Sequence, residues 1–365
     1  MRFSPLLRAL AVIGTLAGVA SCSLVLGIGD PTLDPAGGTG GKGGSGGGPA
    51  TSSQSSNAAT TSAAGTGGEG PVIYPCTPTD PSCSVVKSDC LAVHDNTGKS
   101  SFALRLGQLD FYQPVAFTGT LEQAAFLASI SMNLPKCNLK GSGTFSWIVN
   151  IDKTAGTFQI GAAKPPKDPH DGYSYVNETI MLSGKSFAIA PASGPMTLDA
   201  DGTIHPDPVD NILLPAYLDA AATNLILVPL HKVRILETTI SADQNCVGTY
   251  NAAGLKKSNG CLPDINQGIS SFNIGGKIDG YIDLEEADNI IITSFGLNRS
   301  LCVLLSNSAG VYGDGGSPAN CKRDGVGKIK FNGDWCAATN LPADATCYSA
   351  VAFFAGFAGS GVELK

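Results

Sequence analysis

Between residues 145 and 152 large apolar side chains recur at every second position. Phe145, Trp147, Val149 and Ile151 alternate with Ser146, Ile148, Asn150 and Asp152, and after Lys153-Thr154-Ala155-Gly156 the rhythm resumes at Phe158 and Ile160. A period of two broken by a short polar, glycine-containing segment predicts a β-hairpin. The same reasoning predicts strands over Ala103–Phe111, Thr179–Leu182, Ser186–Ala190, Met196–Leu198, Asn211–Tyr217 and Leu225–Thr239. A closing strand puts Val351, Phe353, Ala355 and Phe357 on one face, and the pairs Asp201-Gly202, Asp279-Gly280 and Asp314-Gly315 read as turns. Helix signals are few. Thr120 precedes Leu121-Glu122-Gln123 with Gln123 at the capping-box position, and Asp283 stands three before Glu286, ahead of an apolar run to Phe295. The pattern predicts a mainly β fold: an antiparallel β-sandwich or flattened barrel with two or three short helices, stapled by disulfides.

Two apolar runs need separate treatment. Residues 212–230 are hydrophobic enough to suggest a membrane span, yet they contain Pro215, Asp219, Asn224 and Pro229, so two strands around an Asp219–Ala222 turn account for them better. The run Ala9–Ala20 is too short to cross a bilayer, which needs roughly 20 residues. It follows Arg2 and Arg8 and ends in Val19-Ala20-Ser21-Cys22, the shape of a secretory signal.

That last string resembles the lipobox of bacterial lipoproteins. Val19 stands where Leu is usual and Ser21 where Gly or Ala is usual, both tolerated in that family. The resemblance implies cleavage of a signal peptide over 1–21 and acylation of Cys22, which anchors residues 22–28 to a membrane. Ser23 after the cysteine, where Asp would retain the chain at the inner membrane, implies sorting to the outer membrane or cell surface. Residues 29–71 are Gly/Ser/Thr/Ala-rich and read as a flexible tether, with a reach of roughly 35 Å. Within it Gly43-Gly44-Ser45-Gly46-Gly47 matches the nucleophile-elbow pattern, but no strand or helix can flank it there. A β-rich domain then occupies 72–365.

The chain has eleven cysteines, so ten remain once Cys22 is set aside: Cys76, Cys83, Cys90, Cys137, Cys246, Cys261, Cys302, Cys321, Cys336 and Cys347. No Cys-x-x-Cys pair occurs, which argues against zinc, and an even number in an exported chain predicts disulfides throughout. Cys76, Cys83 and Cys90 fall in equal seven-residue steps among prolines, a knot at the domain entrance. Short loops favour Cys246 with Cys261 and Cys336 with Cys347. The formal net charge of −7 becomes two units more negative when Arg2 and Arg8 leave with the signal, so a nucleic-acid partner is not expected.

Candidate chemistry is sparse. His94, His170 and His205 each have a nearby acid in sequence, Asp95, Asp171 and Asp207, but neighbours on a strand point to opposite faces. His231 lies in an apolar strand and reads as a partly buried, satisfied side chain. Two acidic segments offer calcium-type oxygen ligands: Asp199, Asp201 and Asp207 with Asp210, and Asp279, Asp283 and Glu286. In the second, Gly275 and Lys277 stand where an EF-hand has ligands. No other cofactor and no catalytic residue is indicated.

The strings Gly143-Thr144-Phe145-Ser146-Trp147, Pro229-Leu230-His231-Lys232, Asn245-Cys246-Val247-Gly248-Thr249-Tyr250 and Gly333-Asp334-Trp335-Cys336 resemble secreted proteins predicted from myxobacterial genomes. The resemblance covers most of residues 100–360 and implies secretion and stable disulfides; it carries over no catalytic residues. The leading functional expectation is an envelope-anchored lipoprotein displaying a β-rich binding or structural domain, its ligand or protein partner unspecified. Two others stand beside it. One is a secreted hydrolase of polysaccharide or peptide, which requires two carboxylates facing one cleft. The other is a carrier of an apolar ligand, which requires a closed cavity of a few hundred Å³.

Overall fold

Residues Ser101–Gln113 form the long central strand β1. After it come helix α1 (Thr120–Ile130) and the expected hairpin, β2 (Ser146–Asp152) with β3 (Thr157–Ala163). A second hairpin pairs β4 (Glu178–Leu182) with β5 (Lys185–Ile189), and a third pairs β6 (Ala192–Leu198) with β7 (Thr203–Pro206). Strands β8 (Val209–Tyr217), β9 (Leu225–Leu236) and β10 (Thr238–Thr239) follow. Then come β11 (Gly276–Asp283), helix α2 (Leu284–Ala287), helix α3 (Leu301–Leu305) and the closing strand β12 (Ala350–Val362). This computed structural model describes residues 76–78, 83–264, 268–294, 297–307, 310–313 and 316–365. The signal, Cys22, the tether, Phe295 and Asp314-Gly315 lie outside the described residues.

The large sheet runs in the order β8-β9-β11-β12-β1-β2-β3-β6-β7-β10 and is antiparallel throughout. Strand β10 is the direct continuation of β9 past Glu237, which takes φ 46° at the corner. Because Thr238 pairs with Ile204 while Leu236 pairs with Lys277, the two ends of the sheet meet and it closes into a flattened barrel. The interior is filled. Leu106, Leu109 and Phe111 of β1, Trp147 and Val149 of β2, Leu214, Leu230, Ile278 and Phe353 belong to one buried cluster. Each such side chain contributes roughly 2 kcal/mol by leaving water. One end is plugged by α1, where Phe126 meets Phe111 at 4.8 Å and Phe117 at 5.5 Å.

The sheet's outer face is covered over only part of its area. Ala103, Ile148, Ala163, Ala358 and Val362 point outward and pack beneath the entry segment and its disulfides in a second buried cluster. Ile148 is thus buried in antiphase to Trp147, so β2 is hydrophobic on both faces. Cys76 bonds to Cys261, Cys83 to Cys137 and Cys90 to Cys246, each joining the entry segment to a different loop. Cys302–Cys321 and Cys336–Cys347 close short loops, the second as expected. The expected Cys246–Cys261 bridge is corrected: both cysteines bond instead to the entry segment, which packs on the outer face of the sheet. Five bridges place the domain in an oxidising, exported environment.

Other expectations change in detail. Gly119 is the cap residue of α1, and Gln123 turns away from the helix end: its amide donates to Leu109 O and its oxygen accepts from Phe111 N. Asp283 does cap a helix, accepting from Glu286 N, but α2 stops after four residues and the apolar run continues as the short strand Ile291–Ile292. Asp279-Gly280 is no turn. It lies within β11, and glycine is required there because a Cβ would sit 2.7 Å from the His231 carbonyl oxygen. Residues 212–230 form the β8–β9 hairpin, its turn held by Asp219, and among the described residues no helix is long and apolar enough to cross a membrane.

Candidate functional site: an uncovered groove on the outer sheet face

Where the entry segment does not reach, β9, β11 and β12 expose their outward side chains. A groove of about 370 Å³ runs over them, bounded by Gln113, Arg234, Phe354 and, from the short strand Trp335–Cys336 and the loop after it, Trp335 and Asn340. That volume falls within the range of small-molecule sites.

Local irregularities in two strands build its walls. Between Phe111 and Gln113 strand β1 carries one residue more than β12, whose Ala355 and Phe354 pair with them. The extra residue, Tyr112, is 47% exposed and its ring meets that of Phe354 at 5.1 Å. Strand β9 carries a second bulge between His231 and Arg234, which pair with Tyr281 and Asp279 two positions apart on β11. Lys232 takes φ 50° within it. Bulges re-aim side chains at the cost of ladder pairing, and a non-glycine residue at positive φ adds strain, so two beside one groove mark it as a built feature.

The charges of the groove are neutralised in pairs. Arg234 forks onto Asp279, Nε to Oδ1 at 2.9 Å and Nη2 to Oδ2 at 2.6 Å, and donating to that carboxylate raises the Arg234 pKa above its ordinary value. Lys277 bonds Glu237 at 2.5 Å, and Lys232 bonds Asp210, whose hydrogen bond and charge raise the lysine's pKa. Trp335 Nε1 donates to Asn340 Oδ1 at 3.1 Å, which fixes the indole plane. Gln113 contributes to the groove's edge, its side-chain oxygen buried and without a hydrogen-bond partner.

The groove's own carboxylates are ion-paired. Asp279 and Glu237 are held in the ion pairs just described. Asp110, on the outer face of β1, is pushed up in pKa by burial despite a hydrogen bond from Gln108. Its strand partner Gly356 lies one strand over and opposite Lys277, which places Asp110 two strands from Asp279 and offset by one pleat. That puts their Cα atoms ~12 Å apart by strand geometry. For the apolar-carrier expectation, the cavity inside the barrel, lined by Phe111, Trp147, Leu230 and Phe353, has a volume of about 10 Å³, too small for any such ligand.

The residues singled out from sequence are dispersed. Asp199 bonds His205 at 3.0 Å and Asp201 accepts from Thr203 N at the β6–β7 hairpin tip, while Asp207 follows the far end of β7 beside Pro195. Asp279, Asp283 and Glu286 serve three separate partners, Arg234, the α2 N-terminus and His231. Among the described residues one cluster has the composition of a metal site, Asp288 with Cys302 and Cys321, and both of those sulfurs are bonded to each other. Asp288 is a structural hub. Burial opposes its ionisation, yet hydrogen bonds from Cys321 N, Ser300, Asn320 and Arg323 hold its carboxyl below the usual range. His170 pairs with Asp168, not Asp171, and His94 contacts Lys99. His231 is part-buried as expected, held between Asn211 and Glu286 at 2.5 Å each and stacked on Tyr281.

Reading the sequence alone misses Tyr112, Gln113, Arg234 and Phe354. One signal was present: Phe354 is a large aromatic in antiphase to Val351, Phe353, Ala355 and Phe357, on the face that should be polar. Compared with family models, curated proteins and solved structures, the chain finds no match, so the chemistry of this groove rests on its own residues.

Proposed function

We propose that this protein is an envelope-anchored lipoprotein, attached through acylated Cys22 at the outer membrane or cell surface, that displays its β-barrel on a Gly/Ser tether for binding through the outer groove. The order of lipobox, tether and disulfide-bonded domain supports the anchoring. The observation that carries the binding role is the coincidence of two strand bulges, two half-buried aromatic rings, Phe354 and Trp335, and fixed ion pairs along a groove on an uncovered stretch of sheet. A purely structural spacer has no use for that arrangement, since each bulge forfeits pairing and each exposed ring stays in water.

Two linked measurements test this reading. Cys22→Ala should release the protein from the membrane fraction and abolish labelling by a palmitate analogue. The released protein should still co-sediment with purified envelope fragments, and Trp335→Ala should abolish that co-sedimentation. Unchanged fractionation of Cys22→Ala would refute the anchor; co-sedimentation indifferent to Trp335 would refute the groove.

A further inference from the structure

We infer that the groove's occupant is a neutral, polyhydroxylated chain, that is, an uncharged glycan. This rests on the groove being the binding surface and adds the chemistry of what it holds.

The first argument is electrostatic. Every cation in the groove already has its anion: Arg234 with Asp279, Lys277 with Glu237, and Lys232 with Asp210. An anionic ligand could use Arg234 only by displacing both arms of a bidentate carboxylate, and a cationic ligand would compete with the same guanidinium for Asp279. Neither sign of charge is recruited. A neutral ligand leaves the pairs intact and still finds donors and acceptors on them, because a carboxylate offers about four lone-pair positions and a guanidinium five N–H groups.

The second argument concerns shape and hydrogen bonding. Phe354 and Trp335 give flat apolar faces, with Tyr112 packed against Phe354 beside them, and the Trp335 plane is fixed by Asn340. Around them stand planar polar groups: the Arg234–Asp279 fork, Asn340 and Gln113. A ligand that matches must show an apolar face and, at its rim, many hydroxyl groups, each able to donate and accept. A sugar ring does both, its C–H face lying on an aromatic ring while its hydroxyls reach the amides and carboxylates. From β9 across β11 to β12 the floor spans two strand spacings, about 9.5 Å, enough for a short run of sugar units.

The test uses the full chain in detergent. Trp335 reports on the groove, while the other tryptophan, Trp147, is sealed in the core. Intrinsic fluorescence is titrated with cellohexaose, maltohexaose, laminarihexaose and chitohexaose, and with hexagalacturonate and an acidic peptide as charged comparisons. At least one neutral hexasaccharide should give a saturable change that about tenfold more sodium chloride leaves within twofold, since screening has no ligand charge to act on. Tyr112→Ala, at an exposed position, and Phe354→Ala should each weaken that binding by about tenfold, the worth of one aromatic contact. If no neutral hexasaccharide binds while co-sedimentation with envelope fragments still depends on Trp335, the glycan assignment falls and the binding role stands. Tighter, salt-sensitive binding of hexagalacturonate or the acidic peptide would also overturn it. If co-sedimentation too ignores Trp335, both fall together.

Discussion

Arg105, in the wall of the barrel, donates a 2.8 Å hydrogen bond from Nη2 to the carbonyl oxygen of Ile130, the last residue of α1. The guanidinium is 1% exposed and its recorded partners include no carboxylate. It is instead surrounded by Phe145 O, Leu106 O and Ser146 Oγ, and it lies at the carbonyl end of a helix, where partial negative charge accumulates. One side chain thereby ties β1, β2 and α1 together.

Arg105→Met should therefore cost more than a lost surface charge. It leaves the carbonyl oxygens of Ile130 and Phe145 and the Ser146 hydroxyl short of a donor in a dry setting, at roughly 1–3 kcal/mol for each left unsatisfied. Urea denaturation should show a loss of about 3 kcal/mol or more with an unchanged m-value. A loss under about 1 kcal/mol would mean the guanidinium is not the tie described.

The long bridges should fail cooperatively. Cys76–Cys261 and Cys90–Cys246 are nested, so with either one intact the other closes only a loop of about 30 residues. Removing one pair as Ser should cost roughly 3–4 kcal/mol, whereas removing both opens the whole span and should exceed the sum of the single losses by about 1–2 kcal/mol. A double-mutant cycle in guanidinium measures the excess, and simple additivity would contradict the nesting.

Strand positions were legible in the sequence because period-two burial survives into the fold: the β2–β3 hairpin, the Asp219 turn and the inward face of β12 appear where alternation puts them. The cysteine pairing was not. Loop-closure entropy favours near neighbours, and it pointed to Cys246–Cys261; what decides the pairing is that the entry segment crosses the outer face of the sheet, a tertiary fact with no local trace. The groove was hidden for a related reason. A bulge is one extra residue in one of two paired strands, so Tyr112 looks regular until its partners Ala355 and Phe354 are known. The turn read at Asp279-Gly280 failed because close approach of another strand calls for glycine as readily as a tight turn does.

Asp288 gives the account a pH dependence of known sign. Its carboxyl is held below the ordinary aspartate value in the folded state, so it stabilises the fold fully above about pH 4 and the contribution is lost as pH falls through the depressed folded value. Asp288→Asn should cost about 2 kcal/mol at neutral pH, the scale of hydrogen bonds to a buried charge. The gap between variant and parent should narrow as pH drops below 4. A gap that is constant from neutral to acid pH would show that the charge is irrelevant.

Hydroxyl-radical footprinting of the full chain, with and without purified envelope fragments, shows whether the uncovered outer groove is the surface this protein uses. Trp335 lines the groove and is part-exposed, Tyr112 stands 47% exposed at its edge against Phe354, and the molecule carries its own controls in Met181, 65% exposed on the β4–β5 hairpin, and Tyr312, 59% exposed. Envelope fragments should protect Tyr112 and Trp335 several-fold and leave Met181 and Tyr312 unchanged. Protection at Met181 or Tyr312 with Tyr112 and Trp335 still labelled would contradict it.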